Sequence, residues 1–351
     1  MMDRLEQLWA RFGTAKNRRI LRLIAFPAFY LFALMLFLIW TFPFERLKDR
    51  IIAEFNARQL GGPGVRLEID DLSSYWIRGI EAEGVRLVGP PPSAPAEGEK
   101  KPTPKVIGID HAHVSVSLLR QLFGTSHVTF GADAFEGSLT GEATKSDEAQ
   151  ELRVELDAVD VGQLPMLADL VELPMAGSLS GVIDLRLPEG KLSEANGKIE
   201  LYGSDVSVGD GKAKIRDSIA LPKLEAGELT IEAEATDGRL KIAKFVVNGK
   251  DLELSVDGQI RLRDPFGQSL SEMGLSFKFA DSYKNKNDTT RGLFGAPGSS
   301  MPGLFDLDPK IKRAKRPDGS YGWRLIGSLE NLNFQPASAA GGATSRGRRA
   351  D

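Results

Sequence analysis

The hydrophobic pattern of the chain opens with an unbroken block. Leu23 to Trp40 reads LIAFPAFYLFALMLFLIW, eighteen residues without a charge. At a rise of about 1.5 Å per residue the block covers about 27 Å, and continuing to Phe44 covers a hydrocarbon core of about 30 Å. The pattern predicts a transmembrane helix over 23–44, anchored by side chains such as Leu23, Phe32, Leu36 and Trp40, with Trp40 where an interfacial aromatic belt belongs. Pro27 falls near the helix start, where a missing N–H costs least. A cleaved signal peptide would carry an apolar region of about 7–15 residues closed by a small-x-small site. Here the block runs instead into Thr41-Phe42-Pro43-Phe44. Residues 1–22 hold six basic and two acidic side chains, and residues 41–60 hold four and three. Net +4 facing net +1 predicts a cytoplasmic N-terminus and an exported remainder.

Beyond the block the period changes twice. Phe44, Leu47, Ile51 and Phe55 recur at three- and four-residue spacing, which predicts an amphipathic helix ended by Gly61-Gly62-Pro63-Gly64 and packed on the sheet that follows. From Val65 the period is two: Val65, Leu67 and Ile69 alternate with polar residues, and Ile80 and Val85-Arg86-Leu87 predict short strands across a turn at Glu83-Gly84. Residues 45–88 thus form a helix-plus-strand module. Residues 89–105, GPPPSAPAEGEKKPTPK, are too rich in Pro and charge to pack a core and read as a linker or loop.

Strands resume near Val106–Ile109 and His113–Val116, interrupted by two short helical runs, SLLRQLF (117–123) and DVGQLPMLADLV (160–171). Farther on, Leu229, Ile231, Ala233 and Ala235 share one strand face. Leu240 and Ile242 follow a turn at Asp237-Gly238, then Leu252, Leu254 and Val256, a turn at Asp257-Gly258, and Ile260 and Leu262. Asp-Gly between alternating runs is a strong hairpin signal. The phrase GSLTG at 137–141 returns as GSLSG at 177–181 and as GSLE from Gly327, without a fixed period; it suggests a serial meander of two-faced strands whose glycines sit at turns and bulges. Residues 106–335 are therefore a β-rich domain. Within it, 283–309 reads as a long loop, Lys310–Arg316 as a solvated basic hairpin, and 336–351 as a disordered tail.

Composition narrows the function. The 351 residues hold 45 Lys+Arg against 48 Asp+Glu, a net charge of −3, so no basic excess exists to neutralise nucleic-acid phosphates. The absence of cysteine removes disulfides, thiolate metal sites and thiol nucleophiles. GSLTG and GSLSG place Leu where a nucleophile-elbow serine belongs, and no phosphate-binding glycine loop exists. His111 and His113 share a strand face, but with His127 as the one further histidine they read as ordinary strand residues. No cofactor, metal or catalytic residue is expected, and the chain reads as a non-enzyme.

Several of these stretches resemble one family. The basic N-terminus, the apolar block ending in TFPF, VRLEIDDL with GIEAEGVRLVG, FEGSLTGEA, MAGSLSGVIDLRL, and above all LPKLEAGELTIEAEATDGRLKIAKFVVNGKDLELSVDGQIRLRDP are similar to type II secretion system protein N, in the form whose periplasmic region is AsmA-like. The resemblance spans roughly residues 20–280. It implies a mainly β fold: one N-terminal transmembrane helix, then an elongated, curved antiparallel sheet forming an AsmA-like trough, with a few short helices. It also implies a bacterial inner-membrane location, a periplasmic C-terminal domain and an accessory role in protein export. Inner-membrane lipids and other inner-membrane or periplasmic secretion components would be the partners. A second reading follows from the same trough, a lipid-binding or lipid-transfer module holding acyl chains on the apolar face of Leu229, Ile231, Leu240, Ile242, Leu252, Leu254, Val256, Ile260 and Leu262.

Overall fold

The computed structural model describes residues 15–58, 64–76, 78–90, 106–117, 120, 124–164, 173–210, 214–215, 219–220, 222–296 and 302–337. The Pro-rich stretch from 91, most of both short helical runs and the tail from 338 lie outside them.

The first helix, α1 (Ala15–Thr41), contains the apolar block. It breaks at Phe42-Pro43, and α2 (Phe44–Arg58) begins afresh, so the continuous helix expected over 23–44 is two helices. Proline explains the break, since its ring disfavours helical backbone at the residue before it and it donates no hydrogen bond. Among the described residues no helix is long and apolar enough to cross a membrane; in α1 the described side chains are those of 23–37, 40 and 41. The predicted stripe of α2 is half-buried along its length. Asn56 Oδ1 accepts from the Leu67 N–H at 2.9 Å, and Lys48 Nζ donates to the Asp70 carbonyl at 3.1 Å, tying α2 to the first strands.

Fifteen strands then form one antiparallel sheet: β1 (Arg66–Glu68), β2 (Asp71–Tyr75), β3 (Gly79–Val88), β4 (Val106–Val116), β5 (Ser126–Ala134), β6 (Gly137–Lys145), β7 (Ala149–Asp160), β8 (Met175–Pro188), β9 (Asn196–Val208), β12 (Leu224–Thr236), β13 (Arg239–Asn248), β14 (Leu252–Arg261), β15 (Leu270–Phe279), β16 (Tyr321–Ser328) and β17 (Asn331–Pro336). Neighbours in sequence are neighbours in space; β1 and β2 pair with the two ends of β3. A small separate pair, β10 (Lys214–Ile215) and β11 (Ile219–Ala220), lies on the excursion between β9 and β12. At about 4.8 Å per strand the sheet is on the order of 60 Å long.

Several expected turns are continuous strand. Glu83-Gly84 lies inside β3, where Gly84 takes φ +61° and kinks the strand. The two pieces read near 106–109 and 113–116 are one strand, β4. Asp257-Gly258 lies in mid-β14: Gly258, at φ +122°, is a point of close approach, because a Cβ there would meet the Glu272 carbonyl oxygen at 2.3 Å. Asp237-Gly238, by contrast, is the expected two-residue turn, with both residues at positive φ and Thr236 opposite Arg239. Phe135-Glu136 makes the same turn between β5 and β6 without glycine.

The stretch read as a loop at 283–309 is a helical cap. It comprises α3 (Asp281–Lys284), α4 (Asp288–Phe294) and α5 (Leu304–Leu307), followed by α6 (Pro309–Ala314), which replaces the expected basic hairpin. Asn287 Oδ1 accepts from the Thr290 N–H at 2.8 Å while Thr290 Oγ1 accepts from the Asn287 N–H at 3.0 Å, a reciprocal cap. Asp308 accepts from the Lys310 and Ile311 N–H groups ahead of Pro309. Asn-x-x-Thr and Asp-Pro are helix-start signals that were present in the sequence.

Candidate functional site: the apolar face of the sheet

Residues directly opposite one another in antiparallel strands point to the same face. Following the register from strand to strand joins Ile80, Val114, Phe130, Gly141, Val154, Ile183, Ile199, Ala233 and Ile242 in one row. The neighbouring row contains Leu139, Leu156, Gly181, Leu201, Ile231 and Phe245. One face is thus apolar from β1 to β17. The other carries the charges, with Arg153 reaching Glu155 at 2.9 Å and Asp184 at 3.5 Å, and Arg186 reaching Glu151 at 3.5 Å.

Bulges keep this segregation where the sequence alternation slips. In β13 the pairing jumps from Glu232–Lys244 to Ala233–Ile242, leaving Ala243 as the extra residue. Ile242 and Phe245 therefore share a face despite an odd spacing. In β7, Asp157 and Ala158 together oppose Ser180, Ala158 takes φ +52°, and its N–H donates to Ser180 Oγ at 2.9 Å, which returns Val159 to the face of Leu156.

Of the nine residues expected on the apolar face, eight lie within strands and on it: Leu229, Ile231, Leu240, Ile242, Leu252, Leu254, Val256 and Ile260. Leu262 lies just past the strand in the same alternation but is covered. It follows the end of β14, donates its N–H to the Gly238 carbonyl, and is buried at the hairpin end. Phe245 and Val247 belong to the face but were hidden by the bulge. So do the strands from β3 to β9, whose alternation was legible but whose common side required the register.

The face is only partly covered. Leu139, Leu152, Val154, Ile183, Leu201, Ile231 and Leu254 are all half-buried, and Val114 is 38% exposed. In a two-sheet sandwich such inward positions would be shut against a second layer; here none of the described elements forms one. Among the described residues full burial is concentrated at the ends and rims, with Ala233 in β12 and Leu325 in β16 buried in mid-strand. Near α2, Leu67, Leu72 and Val85 are buried. Along one rim, at the strand ends of β9 to β15, Val206, Leu224, Ala226 and Tyr283 form a core against which Leu229, Val247, Leu252, Phe279 and Phe294 pack. Phe279 stacks on Tyr283 with centroids 5.9 Å apart, and Phe294 bridges Phe279 and Phe305 at 5.0 Å each. The Tyr283 hydroxyl donates to the Pro222 carbonyl at 3.0 Å, and burial raises its pKa to about 12. Asp251, also buried, accepts from the Glu225 N–H at 3.0 Å and from Lys286 Nζ at 3.2 Å, which holds the β13–β14 hairpin to the cap.

The three histidines all stand on the polar face: His111 opposite Glu83 and Asp133, His113 opposite Glu81 and Gly131, and His127 opposite Thr144. His111 Nε2 contacts Glu81 Oε1, and this hydrogen bond is the main reason that its pKa is raised. His113 stacks on Tyr75 at 4.4 Å, and His127 Nδ1 lies 3.0 Å from Thr144 Oγ1. No group of three or more metal-ligating side chains occurs among the described residues. What the arrangement offers chemically is an extended apolar surface with one capped rim. The chain has no match among family models, curated proteins or solved structures.

Proposed function

We propose that this chain is a membrane-anchored, non-enzymatic lipid-binding protein whose single-layer sheet holds acyl chains along its apolar face. The observation that carries this reading is the continuity of that face across fifteen strands with no second layer over its middle among the described residues. Apolar patches on water-soluble monomers rarely exceed a few hundred Å², and larger ones mark sites for apolar partners. Lipid supplies chains of the right chemistry, and a trough with one capped rim suits them better than a compact ligand.

The anchor is α1. Its apolar side chains are exposed on every side: Leu23, Phe26, Phe29, Phe32 and Leu36 are all more than half-exposed, and Trp40 is 90% exposed. A helix apolar all round with no protein packed on it is stable inside a bilayer and costly in water. Together with the eighteen uncharged residues from Leu23 to Trp40, this supports insertion with the N-terminus cytoplasmic and the sheet on the other side, beginning beside the membrane through α2. A role in type II protein secretion rests on the sequence resemblance alone, and acyl-chain binding is compatible with it.

The test uses the full-length protein in mild detergent and a phospholipid carrying a photoreactive group in its acyl chain, with crosslinks mapped by mass spectrometry. Crosslinks on β5–β14 that fall at least fivefold in Ile231→Asp and Leu254→Asp, but not in Glu232→Gln on the polar face, are expected. Crosslinks confined to α1, or unchanged in both Asp variants while these keep a β-type circular dichroism spectrum, would overturn the reading.

A further inference from the structure

The polar face holds a hollow that the lipid reading does not use. It has a volume of about 1170 Å³ and lies over β13–β17, lined by Lys241, Asp257, Gln259, Glu272, Arg316 and Arg324. Its floor is built from small residues: Ser255 stands opposite Ser276, and Ser276 opposite Gly322, while Gly274 stands opposite Arg324. The Arg316 guanidinium lies over Gly322, where a Cβ would meet its Cζ at 2.7 Å. Arg316 Nη1 donates to Ser276 Oγ at 3.2 Å. Glycine at 322 is therefore what lets this guanidinium settle onto the sheet.

Some basic side chains on this face are paired across the ladder and some are not. Arg153, Arg186 and Lys244 each find a carboxylate across a strand pair. Around the hollow, none of the described residues pairs with Arg324 or Lys241, and Arg316 Nε is buried without a hydrogen-bond partner. Gly322 and Arg324 are two apart on β16, so the two guanidinium groups occupy adjacent positions on one face. Like charges so placed repel one another, and a buried orphan donor carries a desolvation cost that an acceptor would remove. Guanidinium forks match the oxygen geometry of phosphate.

We propose that this hollow is a binding site for a phosphate group, held between Arg316 and Arg324 with Ser276 beside them. The phosphate belongs either to a small soluble compound or to a lipid headgroup, and the inference does not depend on acyl chains binding the opposite face.

Calorimetric titration of the full-length protein in detergent tests it, with inorganic phosphate in one arm and water-soluble dihexanoyl phosphatidic acid in the other. Saturable binding in either arm, at least tenfold weaker in Arg324→Gln and in Arg316→Gln and unchanged in Arg186→Gln, is expected. The arm that binds more tightly identifies the source. Because Arg316→Gln also loses the bond to Ser276, Arg324→Gln is the deciding variant. No saturable binding in either arm, or binding indifferent to Arg324→Gln, would overturn the proposal.

Discussion

Single side chains hold the sheet, and their effects can be stated one at a time. Tyr283 combines a buried ring with one hydrogen bond to the Pro222 carbonyl. Tyr283→Phe should cost about 1 kcal/mol, and Tyr283→Ala about 3–5 kcal/mol, read from urea denaturation of the full-length protein. Its phenol titrates near 12 against an ordinary 10.0, so the stability it adds is complete below pH 10 and is lost as the pH climbs through the raised value. His111 is a second case. Glu81 stabilises its charged form, with smaller help from Asp133 and Glu83, so its NMR titration midpoint should exceed the ordinary 6.5 and fall back toward it in Glu81→Gln. The sign is that of a raised base: the contribution is full below 6.5 and disappears as the pH rises through the folded-state value. Neither role was legible in the sequence. His111 and Glu81 are thirty residues apart, and only the β3–β4 register makes them diagonal neighbours on one face.

Elements were legible where local chemistry alone fixes them. The α2 stripe, the β12 alternation and the Asp237-Gly238 turn follow from periodicity and turn preference. The same dipeptide at Asp257-Gly258 misleads, because there glycine serves a close approach between β14 and β15 rather than a reversal. Gly258→Ala should therefore destabilise by about 1–3 kcal/mol through strained φ and contact with the Glu272 carbonyl. Gly108→Ala in β4, where a Cβ would meet nothing within 4 Å, should stay within about 0.5 kcal/mol. A shift in the urea midpoint for Gly108→Ala as large as that for Gly258→Ala would contradict this account. The cap helices α4 and α6 carried readable start signals at Asn287 and Asp308, but Gly and Pro density pointed to a loop in the first and the run of basic residues to a solvated hairpin in the second. The α4 helix is further secured by Phe294 packing onto Phe279, which lies outside the segment, and onto Phe305 of α5.

At the scale of the molecule the governing feature is that one layer stands where β domains ordinarily have two. That openness has a mutational signature. A half-buried side chain on this face loses less on truncation than a fully buried one, so Ile183→Ala should cost about 1 kcal/mol whereas Leu262→Ala, buried beyond the end of β14, should cost about 2–5 kcal/mol. Equal large costs in urea denaturation would mean that the face is shut in solution. The sequence by itself determined the uncharged block, the two-faced character of the strands and the poverty of reactive groups, because each depends on residue types within a few positions of one another. Tertiary structure alone decided that all the apolar faces lie on one side, that bulges at Ala158 and Ala243 keep them there, and that no second sheet among the described residues covers them. Alternation states that a strand has two faces; hydrogen-bond register between strands, a non-local property, decides which faces join and what is left open.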